Sequence, residues 1–182
     1  MSPLCTDRLM LRQWRDGDRP AFAAMNADQR VMRHFGFTRT RTESDEVMDR
    51  LAAHIEEHGF GFFALELRAS GEVIGFAGLQ HVEFEAAFTP AVEIGWRLLA
   101  ARWGRGYATE AALACLDLGF RRLGLAEIVS FAVADNWRSR RVMERIGMRH
   151  EPALDFDHPR VETPALKRHA FYRITAADHA GR

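Results

Sequence analysis

Cysteine is almost missing from this chain: Cys5 and Cys115 are the only two among 182 residues. Two thiols so placed, one in a short N-terminal lead and one in an apolar helical run, frame neither a disulfide scaffold nor a thiolate zinc site. A reducing cytoplasmic setting is therefore expected. Net charge is missing as well, since 25 Lys and Arg offset 25 Asp and Glu. That balance excludes a nucleic-acid partner held by a broad basic field, for the arginines at 138, 140 and 141 form only a small cluster. No stretch approaches 18 consecutive apolar residues and the first residues carry no apolar signal segment, so no membrane partner is expected. Repeats, low-complexity tracts and linker-like runs are likewise missing, which leaves a single domain over residues 1–182 as the expectation.

What is present is a regular change of period along the chain. Leu9, Leu11 and Gln13 alternate with Met10, Arg12 and Trp14, predicting a first strand within 6–15. Asp18 is placed to cap a helix starting near Pro20. Thr42, with Glu43, Asp45 and Glu46, opens a second helix carrying Val47, Leu51 and Ile55 on one face, with Gly59 beyond its end. From Phe60 the period becomes two, and strands at 62–68 and 73–82 form an antiparallel hairpin around Ser70-Gly71. A loop at 83–90, a strand at 92–98, a helix at 107–123, a strand at 128–133 and a helix at 136–146 follow. The tail reads as a strand near 148–155, a loop with Asp157-His158-Pro159, and a strand at 169–174. The fold class is α/β (α+β), with a mixed, mostly antiparallel central sheet of about seven strands flanked by helices. The strands at 92–98 and 128–133 each precede a helix, which makes them natural parallel neighbours.

The most informative stretch is Arg102-Trp103-Gly104-Arg105-Gly106-Tyr107-Ala108-Thr109-Glu110, between a strand and a helix. Gly104 and Gly106 permit backbone angles closed to other residues and let a ligand approach the main chain. The N–H groups from Trp103 to Thr109 can then surround a diphosphate at the positive end of the helix dipole, with no lysine required.

The run from Trp103 to Ala111 resembles motif A of the GCN5-related N-acetyltransferases, with Trp103 where that motif has Gln or Arg. Asn136-Trp137-Arg138-Ser139, followed by Arg141-Val142-Met143-Glu144-Arg145-Ile146-Gly147-Met148, resembles the same family's motif B. Thr6–Arg12, Phe156–Arg160 and Arg168–Arg173 resemble the ribosomal-protein N-acetyltransferase branch, so the resemblance spans roughly residues 6–174. It implies acetyl-CoA as co-substrate, with its pantetheine arm threading between two splayed parallel strands. It further implies that amides around Trp96, Leu98 and Leu99 contact that arm. Those of Arg102, Trp103, Gly104, Arg105, Gly106, Tyr107, Ala108 and Thr109 would hold the pyrophosphate. Asn136 either bonds the arm or caps the helix that follows it, and the two roles are compatible.

Transfer of an acetyl group to an amine needs the amine neutral. An α-amino group has a pKa of about 8 and a lysine amine about 10.4, so a base must take a proton. Glu93, opposite in face to Val92 and Ile94, reads either as that base or as a solvated strand carboxylate. A bulge near Ile94 or Gly95 would leave an N–H to polarise the carbonyl. Many relatives place a tyrosine where this chain has Met143. Ser139 is the hydroxyl available to assist the leaving thiolate, or else a first-turn helix residue without a role. Trp14, Phe35, Phe37 and His81 are acceptor-side candidates, although large apolar groups are more often core and a partly buried histidine is commoner than one facing a cleft. His54 and His58 share a helix face but lack a third ligand in sequence, and no metal is expected.

The expected activity is N-acetyl transfer from acetyl-CoA to a primary amine (a protein N-terminus, an amino acid or another small amine) in a ternary complex, by a monomer or homodimer. Its alternatives are a non-catalytic acyl-CoA-binding module and a transferase using a longer acyl donor.

Overall fold

Alternation of apolar side chains builds one nine-stranded sheet, and helices with apolar stripes cover both of its faces. The computed structural model describes residues 3–181; residues 1, 2 and 182 of the expected domain lie outside it. In chain order the strands are β1 (Leu4–Cys5), β2 (Leu9–Arg12), β3 (Phe62–Leu67), β4 (Val73–His81), β5 (Val92–Leu98), β6 (Glu127–Val133), β7 (Arg149–His150), β8 (Phe156–Asp157) and β9 (Arg168–Thr175). The helices are α1 (Arg19–Ala27), α2 (Gln29–Met32), α3 (Arg41–His58), α4 (Tyr107–Asp117), α5 (Trp137–Arg145), α6 (Pro164–Lys167) and α7 (Ala176–Ala180). The sheet runs β1-β2-β3-β4-β5-β6-β9-β7, with β8 also on β9, and β5–β6 is its parallel pair. Two-residue strands at the edges account for a sheet wider than the seven strands expected.

Several boundaries differ from the sequence reading for local reasons. The first strand is only β2, preceded by the short β1. Helix α3 starts at Arg41, not Thr42. A capping box needs Glu or Gln three residues after the cap, and Thr40 with Glu43 satisfies it: Thr40 N–H donates to Glu43 Oε2 (2.7 Å) and Glu43 N–H to Thr40 Oγ1 (3.3 Å). Helix α4 ends at Asp117 and widens into a π turn over Leu118–Arg122. Gly119 in that turn lies against β6, where a Cβ would come within 2.6 Å of Ile128 Cδ1. The strand expected near 148–155 shrinks to β7, because Pro152 has no N–H for a ladder and starts a 3₁₀ turn instead.

The core lies between α4 and the sheet. Ala111, Ala112, Cys115 and Leu116 of α4 are fully buried, as are Leu79, Ile94 and Ile128. Each such Leu or Ile stabilises the fold by roughly 1.5–3 kcal/mol relative to exposure. A buried ion cluster closes the other end: Arg12 donates to both carboxylate oxygens of Asp18 (2.7 and 2.9 Å) and to Glu66 (2.6 Å). The packing of α4 fixes β4 and β5, which carry the site, and the ion cluster ties β2 to β3.

Candidate active site

Strand β5 pairs with β4 in unbroken register from Gly75↔Leu98 to His81↔Val92. With β6 it shares only the bridge Glu93↔Val129. Beyond that bridge the two strands part, and β5 is left with one unpaired edge. The bulge expected near Ile94 is not there; the register shift falls between β3 and β4, where Ile74 is the extra residue opposite Leu65 and Glu66.

The ladder shows which groups face the gap. Leu99 N–H donates to Ile74 O (2.9 Å), so its amide turns toward β4, contrary to the pantetheine contact expected of it. Main-chain direction alternates along a strand, so Ile94, Trp96 and Leu98 turn theirs toward β6. Ile94 O already accepts Ser130 Oγ from β6 (2.9 Å), and Leu98 O accepts the Trp103 indole N–H (2.9 Å). The N–H groups of Trp96 and Leu98 are the ones turned into the gap.

The gap leads to the glycine loop. Arg102 N–H donates to Leu99 O and Trp103 N–H to Ala100 O, so these two amides close a 3₁₀ turn rather than joining the expected cradle. The Arg102 guanidinium pairs with Glu72. The amides of Gly104, Arg105, Gly106, Tyr107, Ala108 and Thr109 have no protein acceptor among the described residues. Gly104 (φ 74°) and Gly106 (φ 80°) hold left-handed angles, and Gly106 caps α4 without side-chain help. Free donors at a helix start, with glycines leaving the main chain bare, fit a pyrophosphate.

Three residues that sequence reasoning missed hold this loop. Arg8 donates from Nε to Glu110 Oε2 (2.6 Å) and from Nη1 to Arg105 O (3.0 Å), and stacks 4.6 Å from the Tyr107 ring centroid. Thr6 Oγ1 donates to Glu110 Oε1. The sequence signal was a Thr–Arg pair followed a hundred residues later by one acid in the first helical turn, a pairing visible only in three dimensions.

Glu93 sits at the bridge where the strands diverge, its side chain on the face opposite α4. It is half-buried, and no cation or hydrogen-bond donor among the described residues pairs with it. Burial, with a smaller push from the charge of Glu83, raises its carboxyl to about 8. A carboxylate placed there can take a proton from an amine at mildly alkaline pH.

Across the gap, Asn136 caps α5 and accepts from Ser139 N–H (3.3 Å). Ser139 is half-buried on the first turn, while Met143 is buried in the core. Arg138 stacks 4.6 Å from the Trp103 ring centroid and ties α5 to the glycine loop. A cavity of about 340 Å³ lined by Arg33, His34, Asp135, Asn136, Trp137 and Arg138 opens beside this cap. A larger one, about 650 Å³, lies between β1–β2 and the end of α3, away from Glu93.

The acceptor-side candidates divide. Trp14 is a core residue, packed edge-on to Phe22 at 4.9 Å with its indole N–H on Phe62 O (2.8 Å). Phe35 and Phe37 are exposed, 43% and 49%, on the loop before α3. His81 ends β4 at the surface, its ring 5.3 Å from Phe60 and 5.7 Å from that of His58. His54 and His58 lie ring to ring at 4.4 Å.

A parted parallel strand pair, a glycine-rich helix start at its end and a desolvated carboxylate at its apex define an acyl-CoA transferase. A family model described as acetyltransferase (GNAT) domain matches residues 8–149, and the chain belongs to that family. The Bacillus subtilis protein named uncharacterized N-acetyltransferase YoaA is 29% identical over 82% of this chain and 84% of its own length. The acetyltransferase crystal structure from Agrobacterium tumefaciens superposes with a TM-score of 0.78 at 30% identity, covering 96% of this chain and 94% of that one. Vibrio cholerae spermidine N-acetyltransferase, solved with CoA and spermine, shares the fold at 18% identity with a TM-score of 0.74, covering 96% and 99%. The chain is an acetyl-CoA-dependent acetyltransferase.

Proposed function

We propose that this acetyltransferase acetylates a primary amine by direct attack in a ternary complex, with Glu93 as the base. The single observation behind this reading is the place of Glu93: unpaired, desolvated and at the last bridge before β5 and β6 part. A base whose pKa is near 8 suits an α-amino group of similar pKa, because neither proton position is strongly favoured.

Bound acetyl-CoA supplies a thioester carbonyl and a thiolate leaving group; the remaining work falls to this chain. The amides of Gly104–Thr109 hold the phosphates, and the Leu98 N–H receives the arm. Trp96 N–H takes the polarising role first given to Ile94 or Gly95, since it faces the gap and has no ladder partner on that side. Ser139 assists the departing sulfur. That contribution is small, because a thiol of pKa about 8.5 leaves tolerably as its anion. A protein N-terminus, as in the ribosomal-protein branch, or a small amine both meet these demands, and we take the chain as one cytoplasmic domain.

An amine panel assayed with acetyl-CoA by thiol release, beside calorimetric titration with coenzyme A, tests the proposal. Turnover of at least one amine, lost in Glu93→Gln with coenzyme A binding intact, is the expected result. Coenzyme A binding without turnover of any amine would sink it.

A further inference from the structure

Arg97 lies on β5 four residues from Glu93 and on the same face. The two Cα atoms are about 13 Å apart at a strand rise of 3.3 Å per residue. Its surroundings differ from those of Arg12, the other deeply placed arginine described above. Arg12 meets two carboxylates. Arg97 meets none among the described residues: Nη1 donates to Asn26 Oδ1 (2.7 Å), a neutral acceptor, and Nε is sealed from solvent with no partner. The Asn26 amide is held in that orientation by its own bond to Ser44 Oγ (2.9 Å), and both residues are fully buried.

Aromatic rings cover the rest of the guanidinium, Phe35 at 4.1 Å and Phe76 at 5.2 Å. The nearest charge felt by Arg97 is Arg39, of the same sign, itself stacked 4.9 Å from Phe37. Glu43 lies within the field of Arg39 but is turned back onto Thr40. Burial together with Arg39 lowers Arg97 to about 10, which leaves it charged at neutral pH. A guanidinium has five N–H donors; here one is directed to an amide oxygen, and the Nε–H, sealed from solvent, has no acceptor. A buried cation without an anion, on the face that carries the base, is a binding group awaiting its partner.

The other end of the same face carries carboxyl groups instead. Glu93 stands there beside Glu83, which accepts from Gln80 Nε2 (3.3 Å) and lies 3.8 Å from Arg160 Nη1. The cleft is thus asymmetric: a base that ionises only near pH 8 stands where the amine must lose its proton, and a fixed cation where the acceptor's far end falls.

We infer that the acceptor is a zwitterionic amine, an amino acid or close analogue, whose free carboxylate is bound by Arg97 between Phe35 and Phe76. The inference rests on the amine-acetylating reading above. A carboxylate would complete the donors that Asn26 leaves open, and its charge would offset both Arg97 and Arg39. A polyamine would set a second cation against those two arginines, so it fits this face poorly.

The test compares acceptors that differ only in the carboxylate: free amino acids, the same amino acids as carboxamides, and diamines of similar length. Each is assayed with acetyl-CoA by thiol release. The expected result is kcat/KM roughly 10- to 150-fold higher for the acid than for its amide, the range for a hydrogen bond to a charged group. Arg97→Gln should bring the acid-to-amide ratio toward one, and Arg97→Lys should restore part of it. Equal use of acid and amide by the unaltered protein, or a ratio unchanged in Arg97→Gln, overturns the inference while leaving amine acetylation standing. No turnover of any amine despite coenzyme A binding overturns the underlying reading instead. Should Arg97→Gln fail to fold, the acid-to-amide ratio of the unaltered protein decides alone.

Discussion

On the donor side of the cleft, six consecutive main-chain N–H groups from Gly104 to Thr109 stand free at the start of α4. On the acceptor side proposed above, β5 presents two ionisable side chains, Glu93 and Arg97, each desolvated and each without a counterion among the described residues. In the proposed reading the first half recognises its ligand through backbone geometry, which tolerates any side chain compatible with two left-handed glycines. The second recognises through side-chain charge, which one substitution rewrites. The difference explains how one fold keeps its acyl donor while its acceptor varies.

The comparison can be broken most sharply at Glu93. Glu93→Gln should lower kcat by roughly 10²–10⁴-fold, the usual span for a general base, with coenzyme A affinity unchanged. A fall in coenzyme A affinity as well would mean that the two halves are not separable. Gly106→Ala is the reciprocal change. A Cβ at φ 80° carries a penalty of about 1–2 kcal/mol and lies 3.4 Å from the Arg8 guanidinium. The KM for acetyl-CoA should rise about tenfold while the preference among acceptors stays fixed. Ser139→Ala should cost less than about tenfold in kcat, read in the same assay, because thiolate departure is the easier part of the reaction. A further effect is read in stability, not in rate. The carboxyl of Glu93 is raised by folding from 4.5 to about 8, so the folded state holds a proton that the unfolded state has released. Its contribution therefore turns increasingly unfavourable as pH rises from 4.5 to 8 and is constant above that. The Tm of Glu93→Gln relative to the unaltered protein should climb across this window by thermal melts, then level off.

How much was legible follows from the same division. The glycine loop and both strands of the gap were readable, since a strand, two glycines and a helix start are local features. β5 occupies the 92–98 segment expected of it. Asn136 was readable as a cap for the same reason. The spare amide was misplaced at Ile94 or Gly95 because its position depends on where β6 leaves β5. That divergence is recorded in neither strand's own residues. Arg97 escaped notice although it shares a face with Glu93 by simple alternation. What marks it is a missing carboxylate, and a missing partner shows only after α1 and the Phe35 loop have packed over the strand. Trp14 follows the commoner fate of a large apolar group and is core, packed against Phe22 with its indole N–H on Phe62 O.

The role given to Glu93 is tested most directly by kcat/KM as a function of pH for an acceptor whose amine has a pKa of about 10.4, well clear of 8, measured for the unaltered protein and for Glu93→Gln. The account predicts an ascending limb with a midpoint near 8 in the first and its disappearance in the second. An identical limb in both proteins would contradict it, for the proton would then be leaving through some other group.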